Sequence, residues 1–141
     1  MEHLAILKKS WNLSRKILDG SKSIESRWYV TRRAPFDKIR AGETIYFKES
    51  GEPVSIRAQV SDVRQFSDLN ENKVRKIYKD YGGICPSDLE ESVRVNKGKR
   101  YCVLVFIKNP KAIKPFEINK KGYGIMSAWI CINKIDDIKK K

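Results

Sequence analysis

Val54, Ile56, Ala58 and Val60 alternate with Ser55, Arg57, Gln59 and Ser61. A period of two belongs to a strand with one face buried and one in water, because side chains on a helix return to the same face only every 3.6 residues. A second run, residues 101–107 (YCVLVFI), is apolar throughout. It predicts a strand covered on both faces and central in its sheet. Everything else in the chain has to be arranged around these two strands.

Residues 3–7 read as a short first strand. Ser10 is the expected N-cap of a helix over residues 11–19, with Leu13 and Ile17 on its buried stripe, and Gly20 ends it. A strand follows over residues 24–30, broken by Arg32-Arg33-Ala34-Pro35; residues 38–42 form a turn into a strand over 43–48, and Gly51 marks a hairpin. A helix is expected from Asn70 to about Tyr81, with Val74, Ile77, Tyr78 and Tyr81 inward and Lys73, Lys76 and Lys79 outward, stopped by Gly82-Gly83. Ser87 and Glu90 read as the capping box of a short helix ending near Val95. Residues 113–116, limited by Pro110 and Pro115, read as an edge strand, residues 120–124 as a flexible basic loop, and residues 128–133 as the last strand. The order of elements predicts an α+β domain: a small, mostly antiparallel, partly closed β-barrel with helices packed at its side. Residues 1–135 form one domain in this reading, and residues 136–141 a frayed basic tail.

At 141 residues and 40% hydrophobic content, one core forms without disulfide or metal staples. Thirty Lys and Arg against seventeen Asp and Glu give a formal net charge of +13, which calls for a polyanionic partner. RNA is expected ahead of single-stranded DNA. A membrane partner is not expected, for the sequence holds no run of about 18 apolar residues and no basic amphipathic helix with a large apolar face. The opening MEHLAILKKSW has no signal-peptide pattern, so the cytoplasm is the expected compartment, while the oligomeric state stays open. Cys85, Cys102 and Cys131 are an odd number at wide spacing, and His3 is the single histidine. Neither a disulfide framework nor a metal site is expected, and Cys102 and Cys131 read as buried thiols within strands. With no glycine-rich phosphate loop and no Ser-His-Asp set, no cofactor is expected.

The stretch GSKSIESRWY, residues 20–29, is the densest in chemistry. On a strand, Glu25 and Arg27 share one face and are close enough to pair, while Trp28 shares the other with Ile24. Gly20, Lys22, Glu25 and Arg27 stand at the spacing G-x-K-x-x-E-x-R, after an amphipathic helix and into a strand. This pattern resembles the signature of the ASCH domains, within the PUA-like barrels. The resemblance extends over residues 1–65, including the Pro35 turn and the segment 41–47, and is weak over 70–96. Residues 101–107 and the closing Gly124-Ile125-Met126-Ser127-Ala128-Trp129 resemble the end of longer prokaryotic members.

The resemblance implies a small barrel with a cleft beside residues 20–27 that binds RNA and holds an unpaired or modified nucleotide. Lys22 and Arg27 suit phosphates, and Glu25 suits a base or ribose hydroxyl, or orients Arg27. Trp28, Tyr29 and Trp129 are either stacking faces for a base or core residues. Arg32, Arg33, Lys38 and Arg40 extend the positive charge, and the resemblance would bring Lys120, Lys121 and Tyr123 to the same cleft. The alternative is a hydrolase acting on RNA or on an acylated nucleoside, for which Lys22 and Glu25 are the catalytic candidates. ASCH-like amidohydrolases carry a Thr nucleophile three positions after the Lys; here that position is Glu25, with Ser23 the nearest hydroxyl. A protein-interaction domain with an acidic partner is the third reading.

Overall fold

The computed structural model describes residues 1–9, 12–86, 88–124 and 127–140. Its framework is a two-stranded ribbon made of β4 (Val54–Phe66) and β5 (Tyr101–Phe116), paired antiparallel from Val54↔Phe116 to Phe66↔Cys102. The alternating run opens β4 and the apolar run opens β5. Three register shifts interrupt the ribbon, between Val54 and Ile56, Arg57 and Gln59, and Val60 and Asp62. Such bulges bend strands and add twist. The bend lets the first half of β4 pair with β3 (Thr44–Glu49), while the first half of β5 pairs with β2 (Ile24–Tyr29). β1 (Glu2–Leu7) runs parallel to β3, and β6 (Trp129–Ile132) pairs antiparallel with β1. The sheet order is β2-β5-β4-β3-β1-β6, a mixed six-stranded half-barrel, and with its helices the fold is α+β.

The residues expected at 113–116 as a separate edge strand are instead the far end of β5, where Phe116 pairs with Val54. The two prolines did not terminate the strand because past Phe106 β5 has β4 as its one ladder partner, and an edge tolerates a missing N–H donor.

The half-barrel interior is filled by Ile45, Phe47, Ile56, Val60, Val103 and Val105 with Ile17 from α1 (Leu13–Leu18), all essentially inaccessible to water. Each such side chain contributes about 1.5–3 kcal/mol relative to exposure. The helix is shorter than expected. Its N-cap is Asn12, in a left-handed conformation with no side-chain cap; Ser10 and Trp11 lie outside the described residues. Gly20, with φ of +84°, takes the left-handed turn expected of it.

Two further clusters cover the outside of the sheet. α2 (Glu71–Asp80) and α3 (Leu89–Val95) lay Val74, Ile77, Tyr78 and Val93 over Ile24, Cys102 and Leu104. The cap of α3 is Asp88, whose carboxylate accepts from the Glu91 N–H, rather than the expected Ser87, which lies outside the described residues. At the other end, Ile118, Ile135 and Ile138 close over Leu4, Tyr46, Ile130 and Ile132. The segment expected to fray from Asp136 therefore begins as a 3-10 turn over Ile135–Ile138 with both isoleucines buried, and Lys139 bridges to Ile118. Two apolar residues three apart were enough to dock it. Among the described residues no helix is long and apolar enough to cross a membrane.

Candidate functional site

The half-barrel has a seam. β2 ends one side of the sheet and β1 with β6 the other, and among the described residues no ladder joins them. Arg27 spans the gap: its guanidinium donates from Nη2 to the Ile6 carbonyl at 3.1 Å and from Nη1 to the Ala128 carbonyl at 3.3 Å, lying 5.1 Å over the Trp129 ring. Glu25, two residues earlier on the same face, sets Oε1 at 3.6 Å from Arg27 Nε. Both Glu25 Oε2 and Arg27 Nε are buried without a hydrogen-bond partner among the described residues. The expected pair is real, but Arg27 is spent on closing the seam and not on a phosphate.

Lys22 is also buried, at 5% exposure. Its ammonium donates to the carbonyls of Ile24 at 2.9 Å and Ile84 at 3.0 Å, which leaves one of its three N–H donors uncommitted among these bonds. Ile84 belongs to a 3-10 turn, Gly82–Ile84, that follows α2. Gly83 presses directly on the Lys22 loop: a Cβ there would sit 2.2 Å from Ser23 Oγ, and the Ser23 N–H donates to the Gly83 carbonyl at 3.0 Å. The pair Gly82-Gly83, read from sequence as a helix stop, thus also docks the end of α2 against residues 22–24. Ser23, the alternative nucleophile, turns its hydroxyl toward this contact and is not part of the cleft wall.

Over the seam lies a cleft of about 380 Å³. One wall comes from β1 and α1, with Lys8 and Lys16; the floor holds Lys22, Glu25, Ser26, Arg27 and Trp28; the opposite wall is α3 and the turn before it, with Cys85, Glu91, Ser92, Val95, Asn96 and Lys99. Trp28 stacks on Tyr78 of α2 with centroids 5.1 Å apart and planes 17° from parallel, and its Nε1–H donates to Ser26 Oγ. Asn96 donates to the Tyr78 hydroxyl at 2.9 Å, and burial pushes that phenol up to about 12. Tyr78 is therefore a neutral backing plate that fixes the indole.

The structure brings four of the expected residues together, Lys22, Glu25, Arg27 and Trp28, and sets the others elsewhere. Tyr29 faces the barrel side, its hydroxyl donating to the Ala34 carbonyl and its ring beneath Arg33. Arg32 lies over Phe36 and Tyr101. Trp129 is 5% exposed and its indole N–H donates to His3 Nδ1, so it is a core residue and not a stacking face. Lys121 and Tyr123 stand on an exposed turn, and Lys120 donates to the Ser127 carbonyl; none of them lines the cleft. Lys38 and Arg40 are likewise outside it. Ile125 and Met126 lie outside the described residues. What sequence reasoning missed is the place of α3, expected as a short helix but not at the cleft, where it supplies a whole wall from the stretch in which the resemblance was weak. Of its apolar residues only Val93 docks the helix, while Leu89 and Val95 stay 40% and 58% exposed, and nothing in the sequence of the helix separates Val95 from a core residue.

Beneath Trp129, His3 is completely buried, with Nε2 at 2.9 Å from Glu43 Oε1 and Nδ1 at 3.4 Å from Cys131 Sγ. Burial lowers the His3 pKa against the raising effect of Glu43, and burial raises that of the Cys131 thiol. The imidazole is neutral, its N–H to Glu43 and its Nδ1 accepting from the indole. This is a structural polar cluster.

No protein-family model matches the chain, and no curated protein sequence matches it. Solved structures do. The ASCH protein of Zymomonas mobilis superposes with a TM-score of 0.68 at 17% identity, covering 94% of this chain and 88% of that one. A point variant of the same protein gives 0.71 at 15%, covering 96% and 93%. The N-terminal domain of McrB from Staphylothermus marinus gives 0.52 at 13%, covering 96% and 90%. The chain has an ASCH-like fold, as residues 20–27 led one to expect.

Proposed function

We propose that this domain binds nucleic acid, RNA ahead of single-stranded DNA, and holds one unpaired nucleotide in the cleft over the seam. The observation that carries this reading is the convergence, at one opening, of an indole braced by Tyr78, the buried Lys22 ammonium, and a Glu25 carboxylate with an unpartnered oxygen. A base stacked on Trp28 accounts for the aromatic plate, and Lys8, Lys16 and Lys99 at the walls suit the flanking phosphates. The net charge of +13 supports the polyanionic class of ligand. RNA is favoured because an unpaired base splayed onto an aromatic ring is the usual way a single strand of RNA is read. In this reading Arg27 and Trp129 shape the cleft, and Lys22, Glu25 and Trp28 meet the ligand. The ASCH-like fold is compatible with it, though fold alone does not specify a ligand.

The hydrolase reading is weaker. With Glu25 in the nucleophile position and Ser23 turned against Gly83, the cleft wall offers no hydroxyl paired with a base at the expected place.

The test is a salt series with labelled single-stranded RNA, duplex RNA and single-stranded DNA, each strand checked afterwards for cleavage. Trp28→Ala should weaken single-stranded binding by about 5- to 150-fold, from a stacking contribution of about 1–3 kcal/mol. Unchanged affinity in a folded Trp28→Ala protein removes the cleft from the mechanism. Product that appears with the parent and vanishes with Glu25→Gln replaces the binder with the hydrolase.

A further inference from the structure

The outer surface of the sheet is covered at two places, by α2 and α3 over β2 and β5, and by the C-terminal segment over β1, β3 and β6. Between them, among the described residues, the middle of the β4–β5 ribbon is bare, with Arg57, Gln59, Lys108 and Lys111 exposed. Arg57 pairs across to Lys111 and, on its other side, lies beside Tyr46 of β3, which belongs to the outer cluster; Gln59 pairs across to Lys108. Arg57, Lys108 and Lys111 are exposed and, among the described residues, make no ion pair. The nearest carboxylate on β4, Asp62, is committed to Arg64 at 3.1 Å.

Like charges directly opposite one another destabilise a sheet. Guarding a sheet edge explains Lys108 and Lys111, because past Phe106 β5 has β4 as its one ladder partner. It does not explain Arg57, on a stretch of β4 paired with β3 on one side and β5 on the other. Lys48, two residues beyond Tyr46 on β3, extends the same field and contributes, after burial, to lowering the Lys120 pKa.

We infer that the bare outer face of the β4–β5 ribbon, centred on Arg57, Lys108 and Lys111, is a second contact surface for the phosphate backbone of a nucleic-acid strand, separate from the cleft. Phosphates satisfy the unpaired cations and relieve their repulsion without reading sequence. The inference rests on nucleic acid being the ligand, but not on the cleft. In the sheet order β4 lies between the two sides of the seam and away from both, so a short oligonucleotide seated in the cleft does not reach the ribbon and a longer strand does.

The experiment compares single-stranded RNAs of about 5 nucleotides, near the lower end of the site size of one small barrel, and about 20 nucleotides, longer than such a site, on the full chain and on Arg57→Gln/Lys111→Gln. Losing two phosphate contacts at about 0.7 each should lower the log–log salt slope for the longer strand by about 1.4, a loss of roughly 25-fold at 0.1 M salt if affinities converge at 1 M. The short strand should bind as before, and Trp28→Ala should weaken both. Lys111→Glu, which gives Arg57 an opposite partner, should raise the melting temperature while weakening the longer strand, so a lost fold cannot mimic the result. An unchanged slope overturns the inference, as does binding of the parent to anionic lipid vesicles in place of RNA. Self-association of the Gln variant with undiminished RNA binding reduces the lysines to edge guards. A ribbon effect without a Trp28→Ala effect sinks the cleft reading and leaves this one standing.

Discussion

The half-barrel wall is joined in two different ways. From β3 through β4 to β5, strands meet by backbone hydrogen bonds, whereas β2 and β1 meet through the side chain of Arg27 and its two carbonyl acceptors. A backbone ladder tolerates almost any sequence that keeps its apolar face. A side-chain bridge does not. It needs a long planar cation, a carboxylate nearby to offset its charge, and an aromatic ring to lie on, and it leaves open space above. The seam is where Lys22 and Glu25 are buried, where two buried polar atoms lack partners among the described residues, and where the cleft opens. Strain of this kind concentrates at sites of function more often than in walls.

The sharpest way to break this comparison is to remove one cation from each region. Arg27→Ala should cost about 3–5 kcal/mol in urea unfolding, since it strands Glu25 as a buried charge and unties two carbonyls. Arg57→Ala, on the bare ribbon, should stay within about 0.5 kcal/mol. Equal effects would mean that Arg27 is no more than a surface group and that the seam is closed by something else.

A smaller effect probes how the seam is held from outside. Gly83→Ala should cost about 1–3 kcal/mol, because the new methyl meets Ser23 Oγ at 2.2 Å and Ile24 at 3.1 Å, and Ser23→Gly should recover part of it. Additive losses in the double variant would show that Gly83 and Ser23 do not press on each other. The smallest effect concerns pH. With its folded pKa lowered by burial, His3 takes up a proton more readily when unfolded, so stability is full above the unfolded value of about 6.5 and falls as pH drops below it. Glu43, the N-terminus, Trp129 and Cys131 are the groups facing it. The melting temperature should decline between pH 7 and pH 5, and His3→Gln should flatten that decline. A profile as steep in the variant assigns it to other groups.

The strands were legible because burial on one face writes a period of two that no other element shares, and β4 shows it from Val54 to Val60. The continuous run at the head of β5 announced a strand paired on both sides just as plainly, though β5 lies second from the edge of the sheet and not at its centre. Its second half was not legible, because prolines that mark a strand end in isolation are tolerated where a strand has lost one neighbour. The pairing of Glu25 with Arg27 followed from alternation alone. The fate of Trp28 and Trp129 did not. The two indoles are equally aromatic in sequence, yet one is braced at a cleft by Tyr78 and the other is buried above His3.

By itself the sequence determined a basic α+β half-barrel, the turn where its chemistry gathers, and the side-chain alternation along β2, since propensity, periodicity and charge are local or summed properties. Tertiary structure alone decided which cations are spent on carbonyls and which remain for a ligand, that α3 walls the cleft, and that like charges face each other across the β4–β5 ribbon. These depend on register and on contacts between residues as far apart as Arg27 and Ala128, and no local pattern encodes a partner that distant.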